Sequence, residues 1–273
     1  MKKILFIVPL FFILTSFAPK QLTWVAIGDS ITYMNEHTAD TDHRITKGYM
    51  TRVKEKLPYI TYKNQGYNGW TAVHIAEQIE TLNLTKADVY SVFLGTNDWW
   101  SGKTLGTLSD YKNNTGNTTF YGAYRTITNK LLSLNPDARI ILMTPMQRVD
   151  FVQIQNMKNN AFGSYKPKNG QSLSEFANAV REISKYEGFK TVDLFNKKSL
   201  GLAHLVNFKR LKDPKSGSYV NYKYPDFIDI PFNPEKDEYP YPLEAMNITF
   251  DGLHPSDKGY EVITKMLVSA IKH

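Results

Sequence analysis

Five short apolar, β-branched runs separated by helix-like stretches constrain this chain more than any other feature. The runs cover residues 23–28, 60–64, 89–95, 139–144 and 190–194. Several are almost continuously apolar, as strands covered on both faces must be. Between and after them, helical periodicity runs over 49–57, 72–82, 120–134, 172–187 and 256–271. Asn135-Pro136 closes the third of these. Ser172 or Ser174 caps the fourth, Gly188 lies just past its end, and Pro255 precedes the last. Five βα repeats predict one parallel sheet with helices on both faces and right-handed connections. The first strand is expected at the centre of that sheet. Ligands of such a sheet sit at the carboxyl ends of its strands.

Two segments break the rhythm. Residues 99–119 are polar and rich in Gly, Asn and Thr; residues 204–250 are rich in Tyr and Pro. Connections of this length inside one domain are commonly functional. No linker divides the chain, so a single domain is expected over 19–273, with these two segments as insertions.

The first 18 residues read as a secretory signal. Lys2 and Lys3 precede an apolar run over residues 4–14, which Pro9 interrupts, and Thr15-Ser16-Phe17-Ala18 offers a small-residue exit. The run is short for a membrane span. Export to the periplasm or the extracellular space is therefore expected, with no stable membrane insertion once the signal is removed. There is no cysteine, which excludes disulfides, thiolate metal sites and a cysteine nucleophile. The net charge is +7, and +5 without the two signal lysines, 31 basic against 26 acidic residues. Basic residues are scattered among acidic ones, so no nucleic-acid footprint is expected.

Four stretches at predicted strand ends and helix starts carry the chemistry: "GDSIT" at 28–32, "NQGYNGWT" at 64–71, "GTND" at 95–98 and "DGLHPSDKGY" at 251–260. A serine hydrolase needs a nucleophile, a histidine base, a carboxylate to orient the base, and donors for the oxyanion. Ser30 fits the first role, His254 the second and Asp251, three residues earlier, the third. Gly69 offers a backbone N–H free of side-chain obstruction, and Asn97 a side-chain amide. No G-x-S-x-G occurs, which disfavours an α/β-hydrolase elbow. "WSGKT" at 100–104 lacks the upstream glycine spacing of a phosphate-binding loop.

In this order, the four stretches resemble the conserved blocks of the SGNH hydrolases, also called GDSL esterases/lipases, across nearly the whole mature chain. The resemblance implies a three-layer, flavodoxin-like α/β/α sandwich with a five-stranded parallel sheet. It implies Ser30 as nucleophile and Asp251 and His254 as its partners. The Ser30 N–H, the Gly69 N–H and the Asn97 amide would form the oxyanion hole. It also implies a cofactor- and metal-free serine esterase acting on small-molecule or glycan esters. Export and loop aromatics, together with a likeness to carbohydrate esterases, make a short acyl group, acetyl first, on a carbohydrate the expected substrate. A lipase or lysophospholipase on longer chains, or a non-catalytic glycan-binding protein of the same fold, are the alternatives.

Two further expectations concern the rim. Trp70, Trp99 and Trp100 lie within three residues of a block, and Tyr219, Tyr222, Tyr224, Tyr239 and Tyr241 crowd the second insertion. Their rings suit sugar faces and are expected to line a saccharide subsite. Glu36, His37, Asp40, Asp42 and His43 follow Ser30 as a solvated rim loop. Asp29 and Asp98 are expected to serve as turn and cap residues.

Overall fold

The computed structural model describes residues 20–272; the predicted signal lies outside these. Five strands form one parallel sheet: β1 (Leu22–Gly28), β2 (Ile60–Gly66), β3 (Val89–Phe93), β4 (Arg139–Met143) and, after the hairpin β5 (Phe151–Gln153) and β6 (Asn156–Ala161), β7 (Lys190–Val192). Their order is β2-β1-β3-β4-β7. β1 is an inner strand, but the middle position belongs to β3, not to β1 as expected from the sequence.

The continuous apolar runs have a simple cause. Along β1, Trp24 and Ala26 face one layer, whereas Val25 and Ile27 face the other. On β4, Ile141 and Met143 alternate in the same way with Ile140 and Leu142. A strand covered on both sides cannot spare a polar face. On one side of the sheet lie α2 (Tyr49–Lys56) and α9 (Asp257–Lys272). On the other lie α3 (Ala72–Glu77), α6 (Phe120–Leu134) and α7 (Leu173–Glu187). The result is the three-layer α/β/α sandwich. α7 starts at a Ser172–Glu175 capping box and stops at Gly188, whose φ of 75° is left-handed.

The connections after the strands carry short helices: α1 (Ser30–Tyr33) after β1, α4 (Thr96–Trp100) after β3, and α5 (Leu108–Lys112) within the first insertion. The second insertion holds α8 (Leu202–Leu205) and an antiparallel hairpin of β8 (Lys209–Lys212) and β9 (Tyr219–Tyr222). Its Leu205, Leu211, Phe227, Tyr241 and Ala245 are buried in the same core as α2 and α9. The insertion is thus a packed wall of the domain. No helix of the described residues is long and apolar enough to cross a membrane.

Candidate active site

β1 ends at Gly28 because the chain must pass under its own next turn. A Cβ on Gly28 would stand 2.0 Å from Thr32 Oγ1. Asp29 then caps α1 by accepting the Ile31 N–H at 3.0 Å. Ser30 is therefore the first residue of α1, at the carboxyl edge of the sheet. Far along the chain, the loop before α9 folds on the Asp251 carboxylate. Its Oδ1 accepts the N–H of Leu253 (3.0 Å) and of His254 (2.7 Å), while Oδ2 meets His254 Nδ1 at 2.6 Å. His254 Nε2 meets Ser30 Oγ at 2.8 Å. Three side chains separated by up to 224 positions thus form one hydrogen-bonded row, all of them buried to within a few per cent.

The oxyanion donors named from sequence lie on connections that leave neighbouring strands, Gly69 after β2 and Asn97 after β3, both paired with β1. Gly69 sits in the turn closed by Trp70 N–H to Tyr67 O (3.2 Å) with φ 76°, a conformation that favours glycine. The N–H groups of Ser30 and Gly69 donate to no partner among the described residues. Asn97, in the first turn of α4, gives one amide hydrogen to Trp70 O at 3.0 Å. This fixes the amide plane and leaves its second hydrogen for a ligand. The geometry can therefore accept a proton from Ser30 at His254.

A family model described as GDSL-like lipase/acylhydrolase matches residues 26–262. The chain belongs to this family. It is thus an ester hydrolase of the GDSL/SGNH type. The crystal structure of a possible lipase from Chitinophaga pinensis is similar at 59% identity and TM-score 0.91, over 92% of this chain and 98% of that one. Two acetylxylan esterase structures share the fold alone. One, AlAXEase, is 19% identical with TM-score 0.55, over 91% of this chain and 99% of the other. The other, from Geobacillus stearothermophilus, is 18% identical with TM-score 0.52, over 93% and 95%. No curated protein matches the chain.

Within this GDSL-type site, two carboxyls are buried, Asp29 next to the serine and Asp98 next to Asn97. Burial pushes Asp29 up to about 6 and Asp98 up to about 7, against the hydrogen bonds that each accepts. Asp98 does act as a helix cap, but for α3 and not for its own α4. It accepts Ala72 N–H at 2.9 Å and Val73 N–H at 3.3 Å.

The tryptophans divide. Trp99 does not reach the site surface. It is fully buried, and its indole N–H is given to Gln171 O at 2.9 Å. Its place is in the core beside α7, which corrects the expectation of a substrate contact. Trp100 is half-buried, with Arg148 Cζ 4.5 Å and Lys168 Nζ 3.6 Å from its ring centre. Trp70 stacks on Tyr67 at 4.3 Å and, with Tyr33 and Tyr62, lines a separate cavity of about 560 Å³. The insertion tyrosines serve mainly as framework. Tyr241 is buried and donates to Asp150 O, and Tyr239 donates to Val152 O at 3.1 Å.

The segment 148–152, which follows β4, was missed. Val149 N–H donates to Gly252 O and Val152 N–H to Asp251 O, so this strip backs the catalytic loop. Phe151 meets the His254 ring edge-on at 5.4 Å. Arg148 is buried between the Trp99 and Trp100 rings, and desolvation brings it down to about 9. The available signal was position: "MQRVDF" leaves the carboxyl end of a strand. The 36–43 loop is a rim fixture. Glu36 accepts from Asn35 and Asn64, and His37 stacks on Tyr33 at 3.7 Å. Among the described residues no group of three or more acidic, histidine or cysteine side chains is placed to hold a metal.

Proposed function

We propose that this chain is an exported serine esterase that removes short acyl groups, acetyl first, from a carbohydrate. The observation that carries the reading is the Ser30–His254–Asp251 row, 2.8 and 2.6 Å between partners, beside free N–H groups on Ser30 and Gly69. His254 Nε2 takes the Ser30 proton as Oγ attacks the ester carbonyl. The negative oxygen of the tetrahedral intermediate is held by the Ser30 and Gly69 N–H groups and the Asn97 amide. As the C–O bond to the alcohol breaks, His254 returns the proton to the departing oxygen. Water, deprotonated by His254, then cleaves the acyl-Ser30 ester, releasing the acid and restoring Ser30.

The acetyl-carbohydrate part is supported by the fold shared with two acetylxylan esterases. Half-buried Trp100, packed with Phe151 and Leu253 beside the catalytic loop, supports it as a substrate-lining residue. Export rests on residues 1–18. Turnover of p-nitrophenyl acetate, butyrate and decanoate by wild type and Ser30→Ala tests the reading. Ser30-dependent turnover falling from acetate to decanoate is expected. A preference for decanoate would replace it with a lipase, and no Ser30-dependent turnover would leave a glycan-binding protein.

A further inference from the structure

The leaving side of the site is fixed by the chemistry. His254 Nε2 protonates the departing oxygen, so the alcohol half of the ester must lie on the His254 side, opposite Gly69. Phe250 stacks on the His254 ring and Phe151 meets it edge-on. Phe151 also lines a cavity of about 330 Å³, formed where the β5–β6 hairpin meets the second insertion. Resting on the esterase reading above, we propose that this cavity is the leaving-group subsite and takes an uncharged saccharide.

Three observations argue for that occupant. First, Lys209 lines the cavity at 3% exposure. Its ammonium gives one hydrogen to Asp150 Oδ2 at 2.7 Å, and among the described residues the other two find no acceptor. A ligand rich in hydroxyl oxygens supplies acceptors that a hydrocarbon chain does not. Second, the charges cancel. Lys209 pairs with Asp150, and at the rim Lys166 pairs with Asp229 at 3.8 Å. A uronate would compete with Asp150 or Asp229 for a cation already neutralised, whereas a neutral polyol can use both donors and acceptors. Third, Trp100, Phe151, Phe162 and Phe232 bring aromatic surface to the same lining, and such surface covers the apolar faces of pyranose rings. The cavity also lies within the size range of small-molecule sites.

Steady-state kinetics on acetylated xylotriose, acetylated oligogalacturonate and p-nitrophenyl acetate test the proposal, using wild type, Phe232→Ala and Lys209→Met. Wild type is expected to prefer acetylated xylotriose over the galacturonate by at least tenfold in kcat/KM. Phe232→Ala is expected to raise KM for acetylated xylotriose at least fivefold, lowering the xylotriose to p-nitrophenyl acetate ratio of kcat/KM by the same factor. Lys209→Met should act in the same direction. Since it strands Asp150, Phe232→Ala, at a half-buried position, decides the matter if Lys209→Met does not fold. Equal losses on both neutral substrates, or a preference for the galacturonate, would overturn the subsite while leaving the esterase standing. If no Ser30-dependent turnover exists at all, the esterase reading fails separately. Calorimetric titration with unacetylated xylotriose then decides on the cavity: binding weakened at least fivefold in Phe232→Ala upholds it, and equal or absent binding overturns it.

Discussion

The carboxylate of Asp98 accepts the backbone N–H of Ala72 at 2.9 Å and so ties α4 to the start of α3. The neighbour of Asp98 is Asn97, and three residues before Ala72 is Gly69. Asn97 itself donates to Trp70 O. The two donor-bearing elements are thus locked to each other by crossed bonds, and Asp98 is a positioning residue for both. Asparagine at 98 is nearly isosteric but turns an NH2 towards one of the two N–H groups. Asp98→Asn is therefore expected to lower kcat on p-nitrophenyl acetate roughly tenfold, the scale of one lost hydrogen bond, with KM changed less than twofold. A matched rise in KM without loss of kcat would contradict positioning of the oxyanion donors.

The same carboxyl makes stability depend on pH. Its value in the fold, about 7, lies above the ordinary 3.8, so the fold favours the protonated form. The stability contributed is fully present below about pH 4 and is lost as pH rises through 7. Asp29, raised to about 6, acts in the same direction. Asp88, Asp213 and Glu261 are held below their ordinary values by hydrogen bonds and so act oppositely. The informative quantity is the difference between wild type and Asp98→Asn. Thermal melts at pH 4.5, 6 and 7.5 should show Asp98→Asn gaining on wild type as pH rises, by at most roughly 4 kcal/mol. Parallel curves would show that Asp98 carries no such shift.

Gly69 and Gly252 both hold positive φ, 76° and 91°, yet alanine should affect them differently. A Cβ on Gly69 would meet nothing within 4 Å, leaving only the backbone penalty of about 1–2 kcal/mol. A Cβ on Gly252 would stand 2.0 Å from Asp150 O, in the strip behind Asp251. Gly69→Ala is expected to lose most of its kcat with a Tm only a few degrees lower, because relaxation of the turn redirects one N–H. Gly252→Ala should lower Tm far more, or prevent folding. Melting curves beside kcat for the two variants separate the cases; a Gly69→Ala enzyme with full kcat removes that N–H from the oxyanion hole.

What was legible in the sequence is what local pattern encodes. The strands ended within about two residues of their apolar runs, and the four blocks marked Ser30, Gly69, Asn97, Asp251 and His254, which the fold gathers at one sheet edge. The helix expected over 72–82 stops at Glu77, because the later apolar residues Ile79 and Leu82 are buried in turns. Periodicity reports burial before it reports helix. The β5–β6 hairpin turns at Ile154-Gln155, which lacks a glycine or Asn-Gly signal. The Lys209–Asp150 pair spans 59 positions, so no local pattern announces it. Trp99 was misplaced for the same reason. Nearness to Asn97 along the chain says nothing about direction, and on a helix the two neighbours point apart.

Trp99 therefore supplies a direct check on placement. Its ring is fully buried with Arg148 Cζ at 4.9 Å and Phe162 edge-on at 6.0 Å, and its N–H closes on Gln171. Gln171 in turn accepts Leu105 N–H and donates to Lys103 O, fastening the first insertion to α7. Trp99→Phe removes the indole N–H and leaves both a small void and an unpaired carbonyl. The expected cost is about 2–3 kcal/mol, read as a lower midpoint in urea with an unchanged slope. KM for acetylated xylotriose should stay within twofold of wild type, since this ring has no exposed surface. A KM rise of fivefold or more at full stability would return Trp99 to the substrate surface.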